Sequence, residues 1–322
     1  MVLTMLFSGC STKIGNLGEY IPSTLYKAVN MPSKEELTNT KASKIIIMAI
    51  DDNAIRIAQE ARLEKTMLVH INEELAENKN VQILKRVSSN NYEQILNKEI
   101  KAAELEREIG EDIGAASYLL TGQISNATYN YEFSEGYYYE TKEGEKYSPP
   151  TIDYEACVKG TLKIFSLPDL NEAHSKGFNG CSSYTEEVRN PTDAKVTDPS
   201  LVRKAGIRAM HQVSFSLKNF FTKKGYILEK RKKKDETIIR VMLGSNQGAR
   251  SQDRVEIYSV ETIMNPLTGQ SSKKNVLIGT GTISEKVTSI DAWIVIKELE
   301  KGKQVHLGDY IKIKYSQGFW NN

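Results

Sequence analysis

The cysteines come first, because Cys10 stands where a thiol could be modified. A short apolar run, Val2 to Phe7, leads into the small residues Ser8 and Gly9 and then Cys10. That order is a bacterial lipobox. A signal peptidase cuts before the cysteine, small residues let the backbone enter its cleft, and the free thiol accepts a diacylglycerol. Phe7 stands where Leu is usual, and no Lys or Arg precedes the run, so the true start codon could lie upstream. The plainer reading is an apolar N-terminus with a chance Gly-Cys. The Ser, Gly and Asn residues that follow favour the lipobox. On that reading residues 1–9 are a signal remnant, Cys10 is the lipidation site, and the protein works on the periplasmic face of the outer membrane.

Cys157 and Cys181 are the remaining two of three cysteines. An even remainder in an oxidising compartment invites a disulfide. The four histidines, His70, His174, His211 and His306, show no metal spacing with another His or Cys. No Ser, Thr or Cys sits in a nucleophile elbow, and no Gly-rich loop links a strand to a helix. Gly279-Thr280-Gly281 belongs to a strand hairpin. Asp51-Asp52 reads as a helix cap. We therefore expect no catalytic residues, no metal and no cofactor.

The elements that must carry these residues fall into two blocks. The chain has 322 residues, 39% of them hydrophobic, and a net charge of +2. Two domains with real cores fit that length, and no global field recruits nucleic acid. Residues 10–42, with Pro22 and Pro32, read as an extended tether. The first domain, 43–224, opens with the apolar run Lys44 to Ile50. A helix follows to about Asn78, with Ala61, Leu68, Ile71 and Leu75 on one stripe. Next come a strand at 81–84, a helix around 92–109 and a strand at 115–124. After the strand at 153–170, Asp198-Pro199-Ser200 starts a helix bearing Val202, Ala205, Ala209, Val213, Leu217 and Phe220.

This order, with "VQILKR", "ASYLLTGQIS" and "DYEACVKGTLKIFSLPDL", resembles the curli-secretion lipoprotein family (CsgG-like), whose fold is related to the N-terminal domain of TolB. The resemblance covers about residues 43–224 and implies an α+β fold, helices on a mixed β-sheet. In a hairpin with an odd-length turn centred on Asp169, Cys157 and Cys181 face each other, close to disulfide distance. They lie on the face opposite Val158, Leu162 and Ile164. Two insertions, 126–150 and 174–197, interrupt the likeness. In the first, Tyr129, Tyr131 and Phe133 share one strand face, and Tyr137, Tyr138 and Tyr139 follow. These six are candidate partner contacts, since exposed Tyr favours interfaces. A solvated loop packed on its own domain is the equal alternative. The acidic residues Glu135, Glu140, Glu143 and Glu145 count against membrane strands.

From residue 225 the periodicity is β throughout, with Gly-containing turns, which implies a small barrel or sandwich. The basic stretch Lys230 to Lys234 reads as the solvated tip of a turn. "VMLGSNQGARSQDRVEIY", "IGTGTIS" and "LGDYIKIKY" resemble the C-terminal domain of FlgT, a flagellar basal-body ring protein, over 225–316, leaving a tail at 317–322. Gln252 stands where that family usually has Gly. Together the resemblances imply a non-catalytic, outer-membrane-anchored periplasmic lipoprotein. It would act as a ring or scaffold component, most naturally of the flagellar basal body, meeting copies of itself and other envelope or flagellar ring proteins. A curli-type secretion channel and a lipoprotein activator of a peptidoglycan synthase are the alternatives.

Overall fold

Patterned apolar residues divide the computed structural model, which describes residues 12–38, 41–85 and 92–316, into two units. Cys10 and the tail lie outside the described residues. Residues 42–220 form one unit. The N-terminal segment, with β1 (Ile21–Pro22) and α1 (Lys34–Thr38), belongs with residues 221–316 in the other. The stretch read as a tether is therefore part of a folded unit, because its apolar side chains have a surface to cover.

In the α+β unit, β2 (Ser43–Asp51) is the apolar run that opens the domain. Ile45 and Ile50 are fully buried. The expected long helix is two, α2 (Arg56–Glu60) and α3 (Leu63–Ala76), because Arg62 takes a left-handed conformation (φ 52°) between them. Asp51 and Asp52 accept the N–H groups of Asn53 and Ala54, tying the loop before α2 rather than capping a helix. The buried stripe of α3 is Leu63, Met67, Ile71 and Leu75; Leu68 is only half-buried. β3 (Val81–Ile83) and α4 (Tyr92–Ile109) follow. Ile95 and Leu96 of α4 pack on Ile46, Ala116 and Leu119.

β4 (Tyr118–Ser134) begins later and runs much further than expected. Its tip carries a separate hairpin, β5 (Tyr137–Thr141) and β6 (Gly144–Ser148). β7 (Thr151–Ser166) and β8 (Asn171–Glu187) return alongside. Both stretches read as insertions lengthen the sheet, apart from the β5–β6 hairpin: β4 pairs with β7 from Tyr118↔Ser166 to Ser134↔Thr151, and β8 pairs with β7 over its whole length. The sheet order is β3-β2-β4-β7-β8, with β2 parallel to β3 and β4 and the rest antiparallel. β8 hid from the apolar reading because it is an edge strand, with buried positions only in its middle.

α5 (Pro199–Phe220) lies across β7 and β8 and packs α3 against its other side. Asp198 caps it, accepting the N–H groups of Ser200 and Leu201 at 2.9 and 3.1 Å. The helix sits close to the sheet because Gly180 leaves no side chain under it. A Cβ there would stand 2.3 Å from Ala209 N and 2.4 Å from Ala205 O. At Gly160 the ring of its cross-strand partner Phe178 occupies the space a Cβ would need.

In the second unit, β9 (Gly225–Lys233), β10 (Glu236–Met242), β11 (Arg254–Met264), β12 (Ser271–Val287), β13 (Ala292–Leu299) and β14 (Tyr310–Ile313) run in the order β9-β10-β13-β12-β11-β14. β14 returns to pair with β9, which closes a six-stranded antiparallel barrel. Ile227, Ile239, Val241, Ile257, Ile294 and Ile311 fill it. Gln252 holds φ 76°, the left-handed conformation that glycine adopts most easily, and its N–H reaches Ile283 O.

The N-terminal segment straps the barrel's outer wall. Ile14 and Tyr20 bury Ile238, Trp293 and Val295, which point outward. The N–H groups of Ile14 and Gly15 donate to the two oxygens of Glu285 at 3.0 and 3.1 Å. β1 adds to β9 through Ile21↔Lys232, and Ala28 N–H donates to Leu307 O. Lys233 pairs with Glu19 and lies over the Tyr20 ring, so Lys230 to Lys233 are strand engaged by the strap, and only Lys234 stands in the turn.

Replacing Gly180 with Val pits a branched side chain against helix backbone. We expect a loss of about 1–3 kcal/mol or more in chemical unfolding. Gly177→Val, where a Cβ meets only Gly160 O at 3.8 Å, stays within about 0.5 kcal/mol of wild type. Equal effects at the two positions would contradict this account of the packing.

Candidate functional site

The six aromatic residues singled out from the sequence divide into two groups. Tyr129 is used inside its own unit: its hydroxyl donates to Lys195 O at 2.9 Å and its ring stacks on Tyr154 at 6.2 Å. Burial, with the nearby Tyr184, Tyr154 and Asp198, pushes its hydroxyl up to about 12. Tyr131 lies 6.4 Å from Tyr154 but is half-exposed, and Phe133 is half-buried. Tyr137, Tyr138 and Tyr139 are exposed on β5, Tyr138 by 68%. Alternation puts Tyr137 and Tyr139 on one face, rings 5.9 Å apart. Tyr138 faces the other way against Tyr147 of β6, rings 4.8 Å apart. Both faces of the small hairpin are therefore aromatic and open.

Below the hairpin, Tyr154 and Tyr184 stack at 4.8 Å, and the loop before α5 folds over them. Lys195 donates its N–H to the Tyr154 hydroxyl, and its ammonium lies 5.4 Å from the Tyr184 ring centre and 2.6 Å from Glu186. The bonds to Glu186 and Tyr184 hold that ammonium above the usual lysine range. Tyr184 donates to Asp198, the cap of α5. Burial works to raise the Asp198 carboxyl, but its bonds from Ser200 and Leu201 outweigh burial and keep it low. Reading the sequence missed Tyr154, Tyr184 and Lys195; the odd–even alternation of β7 placed Tyr154 inward, and that was the available signal.

Cys157 and Cys181 are directly opposed across β7 and β8 and joined as a disulfide, with Cα atoms 4.1 Å apart. The register arises differently from the odd-length turn. Ser166↔Asn171 and Phe165↔Glu172 enclose an even turn, and an extra residue at Ala173 shifts the pairing to Ile164↔His174. That β-bulge restores the alignment of the thiols.

The histidines also end up arranged differently from their spacing. His70 and Glu74 lie one turn apart on α3, and His211 reaches them from α5. His211 Nδ1 is 2.9 Å and His70 Nε2 is 3.7 Å from Glu74 Oε1. Glu74 Oε2 accepts from Lys218 at 2.5 Å and Ser214 at 3.2 Å. Burial alone would raise Glu74; the bonds from Lys218 and His211 overcome it and bring the carboxyl down to about 2. His211 is 137 residues from Glu74, so no local spacing could reveal the cluster. The i,i+4 His–Glu pair on one helix face was the only trace.

No family model matches the chain, and no curated protein does. Solved structures do. A neuraminyllactose-binding hemagglutinin homologue from Helicobacter pylori is 16% identical, with TM-score 0.30, over 61% of this chain and 90% of its own. A PelC dodecamer from Paraburkholderia phytofirmans is 13% identical, with TM-score 0.22, over 58% and 96%. A lipoprotein from Neisseria meningitidis is 11% identical, with TM-score 0.25, over 47% and 88%. At that level of likeness no function passes from them to this chain. The resemblance to the curli-secretion and FlgT families rests on sequence pattern alone.

Two outcomes follow from this geometry. Changing Tyr137, Tyr138 and Tyr139 together to Ser should cost less than about 1 kcal/mol in thermal unfolding, as at other exposed sites, whereas Tyr154→Ala should cost about 3–5 kcal/mol. The disulfide closes a loop with a sequence separation of 24, worth about 3 kcal/mol in the chain-entropy account. Reductant should therefore lower the urea midpoint of the wild type and leave a Cys157→Ser/Cys181→Ser variant unmoved.

Proposed function

We propose that the chain is a non-catalytic lipoprotein of the bacterial envelope, anchored through Cys10, that acts as a ring or scaffold component. The observation that carries this reading is the strap. Ile14, 4% exposed, is docked on the barrel wall only four residues after Cys10. Four extended residues reach at most about 14 Å. An acyl chain on Cys10 would therefore keep the barrel close to the bilayer surface.

The α+β unit supplies the surfaces for assembly. The outer edge of β8, a 17-residue strand, carries no partner strand among the described residues. The β5–β6 hairpin offers exposed tyrosine on both faces. An open edge and an aromatic protrusion suit side-by-side packing of copies or capture of another envelope protein. The finer assignment to the outer membrane's periplasmic face and to a flagellar basal-body ring draws on the FlgT-like pattern of residues 225–316.

Labelled palmitate fed to a diderm bacterium expressing the full chain should enter the wild type and not the Cys10→Ser variant. The label should run with the membrane fraction. Cross-linking of intact cells should give a ladder that shortens when Tyr137, Tyr138 and Tyr139 become Ser. A palmitate-free protein in the cytosolic fraction would end the anchored reading. A labelled protein that stays monomeric on cross-linking would end the scaffold reading.

A further inference from the structure

We propose that His70, Glu74 and His211 form a binding site for a divalent transition metal of the zinc class, clamping α3 to α5. The donor atoms of these residues all lie within 4.8 Å of one another. Four donors around a tetrahedral zinc at ~2.0–2.1 Å stand about 3.3 Å apart. The observed separations of 2.9 and 3.7 Å from Glu74 Oε1 bracket that value. His70 Nε2 is buried and makes no hydrogen bond, although it points at the carboxylate. An orphaned ring nitrogen beside an oxygen is costly unless something joins them, and a cation on that side does so.

The surroundings suit a metal as well as the ligands do. Glu74 divides its oxygens: Oε2 is held by Lys218 and Ser214, and Oε1 faces the two imidazoles. The lysine therefore fixes the carboxylate without occupying the ligating oxygen. Glu73 Oε2 lies 4.0 Å from His70 Nδ1, on the side of the ring away from the carboxylate of Glu74. Glu77 lies 3.8 Å from Lys218. Glu73, Glu74 and Glu77 against Lys218 leave two net negative charges around the site, which a divalent ion neutralises. Binding requires His211 to carry its proton on Nε2 in place of Nδ1, a change of tautomer with no net proton lost from the neutral ring. Two imidazoles and one carboxylate favour zinc, and cobalt as its spectroscopic substitute, over magnesium or calcium. Water takes the fourth position beside the half-exposed His211.

The test is a cobalt titration of the chelator-treated, tag-free full chain at neutral pH. Visible absorption bands of tetrahedral cobalt should grow to one equivalent and vanish when zinc is added. Saturating zinc should raise the thermal midpoint by mass action. His70→Asn and His211→Asn should each weaken cobalt binding at least tenfold while matching the wild-type circular dichroism in chelator. Absent bands, or bands that survive both substitutions, overturn the site. If a variant fails to fold, diethylpyrocarbonate modification of the wild type decides: protection of His70 and His211 by zinc supports the site, and equal modification with and without zinc overturns it.

Discussion

Almost every feature of the α+β unit depends on how closely α5 lies on β7 and β8. The helix is capped at Asp198, drops onto Gly180 through Ala205 and Ala209, and ends with Phe220 against Tyr118 and His174. On its far side Gly206 leaves room for the side chains of Leu63 and Met67 of α3. Small residues on both faces give one helix two tight contacts, each contributing dispersion that a larger side chain would forfeit by holding the layers apart. The same closeness puts His211, Ser214 and Lys218 within reach of Glu74. The charged cluster is a consequence of the packing, since Glu74 tolerates burial only because Lys218 and His211 hydrogen-bond it.

Legibility from sequence followed the kind of signal each element carries. The 3.6-residue period of α5 was plain, and Val202, Ala205, Ala209, Val213 and Leu217 are all buried. The α+β class and the C-terminal β-unit could be read from element order and turn residues. The length of β4 and β8 was not, because strands with one face open to water alternate weakly and an edge strand barely alternates at all. The break at Arg62 left no mark, since nothing about arginine announces a positive φ. The thiol pairing shows how an even turn and a bulge reach the same register as an odd turn would. Parity in sequence constrains the sum of the two, not either one.

The barrel illustrates a different limit. Its six strands were visible as alternation, but Ile238, Trp293 and Val295 face outward, where a closed barrel would show water polar residues. A chain of that pattern must be covered, and the covering segment was read as a tether because Pro22 and Pro32 forbid a long helix. Proline also forbids a central strand, yet it is compatible with an edge, and β1 is a two-residue edge on β9. Ile14 and Tyr20 supply the apolar faces, while Glu285 clamps the strap's backbone and Lys233 pairs with Glu19 and lies over the Tyr20 ring.

The far half of the β4–β7–β8 ribbon extends past the core built on α5, which raises the question of what keeps it folded. Inward positions at Ile152, Tyr154 and Ala156 are still fully buried, so a second packing centre must exist. It is made by the stacked rings of Tyr129, Tyr154 and Tyr184, with the loop before α5 laid over them and Lys195 as its clasp. Tyrosine suits that position because its ring gives apolar area and its hydroxyl satisfies the backbone of the loop. The cross-link at Cys157 and Cys181 stands between this centre and the main core, on the opposite face, and secures the register that both need. Beyond Ile152 the hairpin is exposed, and among the described residues the rings of Tyr137 and Tyr139, and of Tyr138 and Tyr147, pair with each other. The architecture that shields the inner tyrosines is thus the one that leaves the outer ones presented.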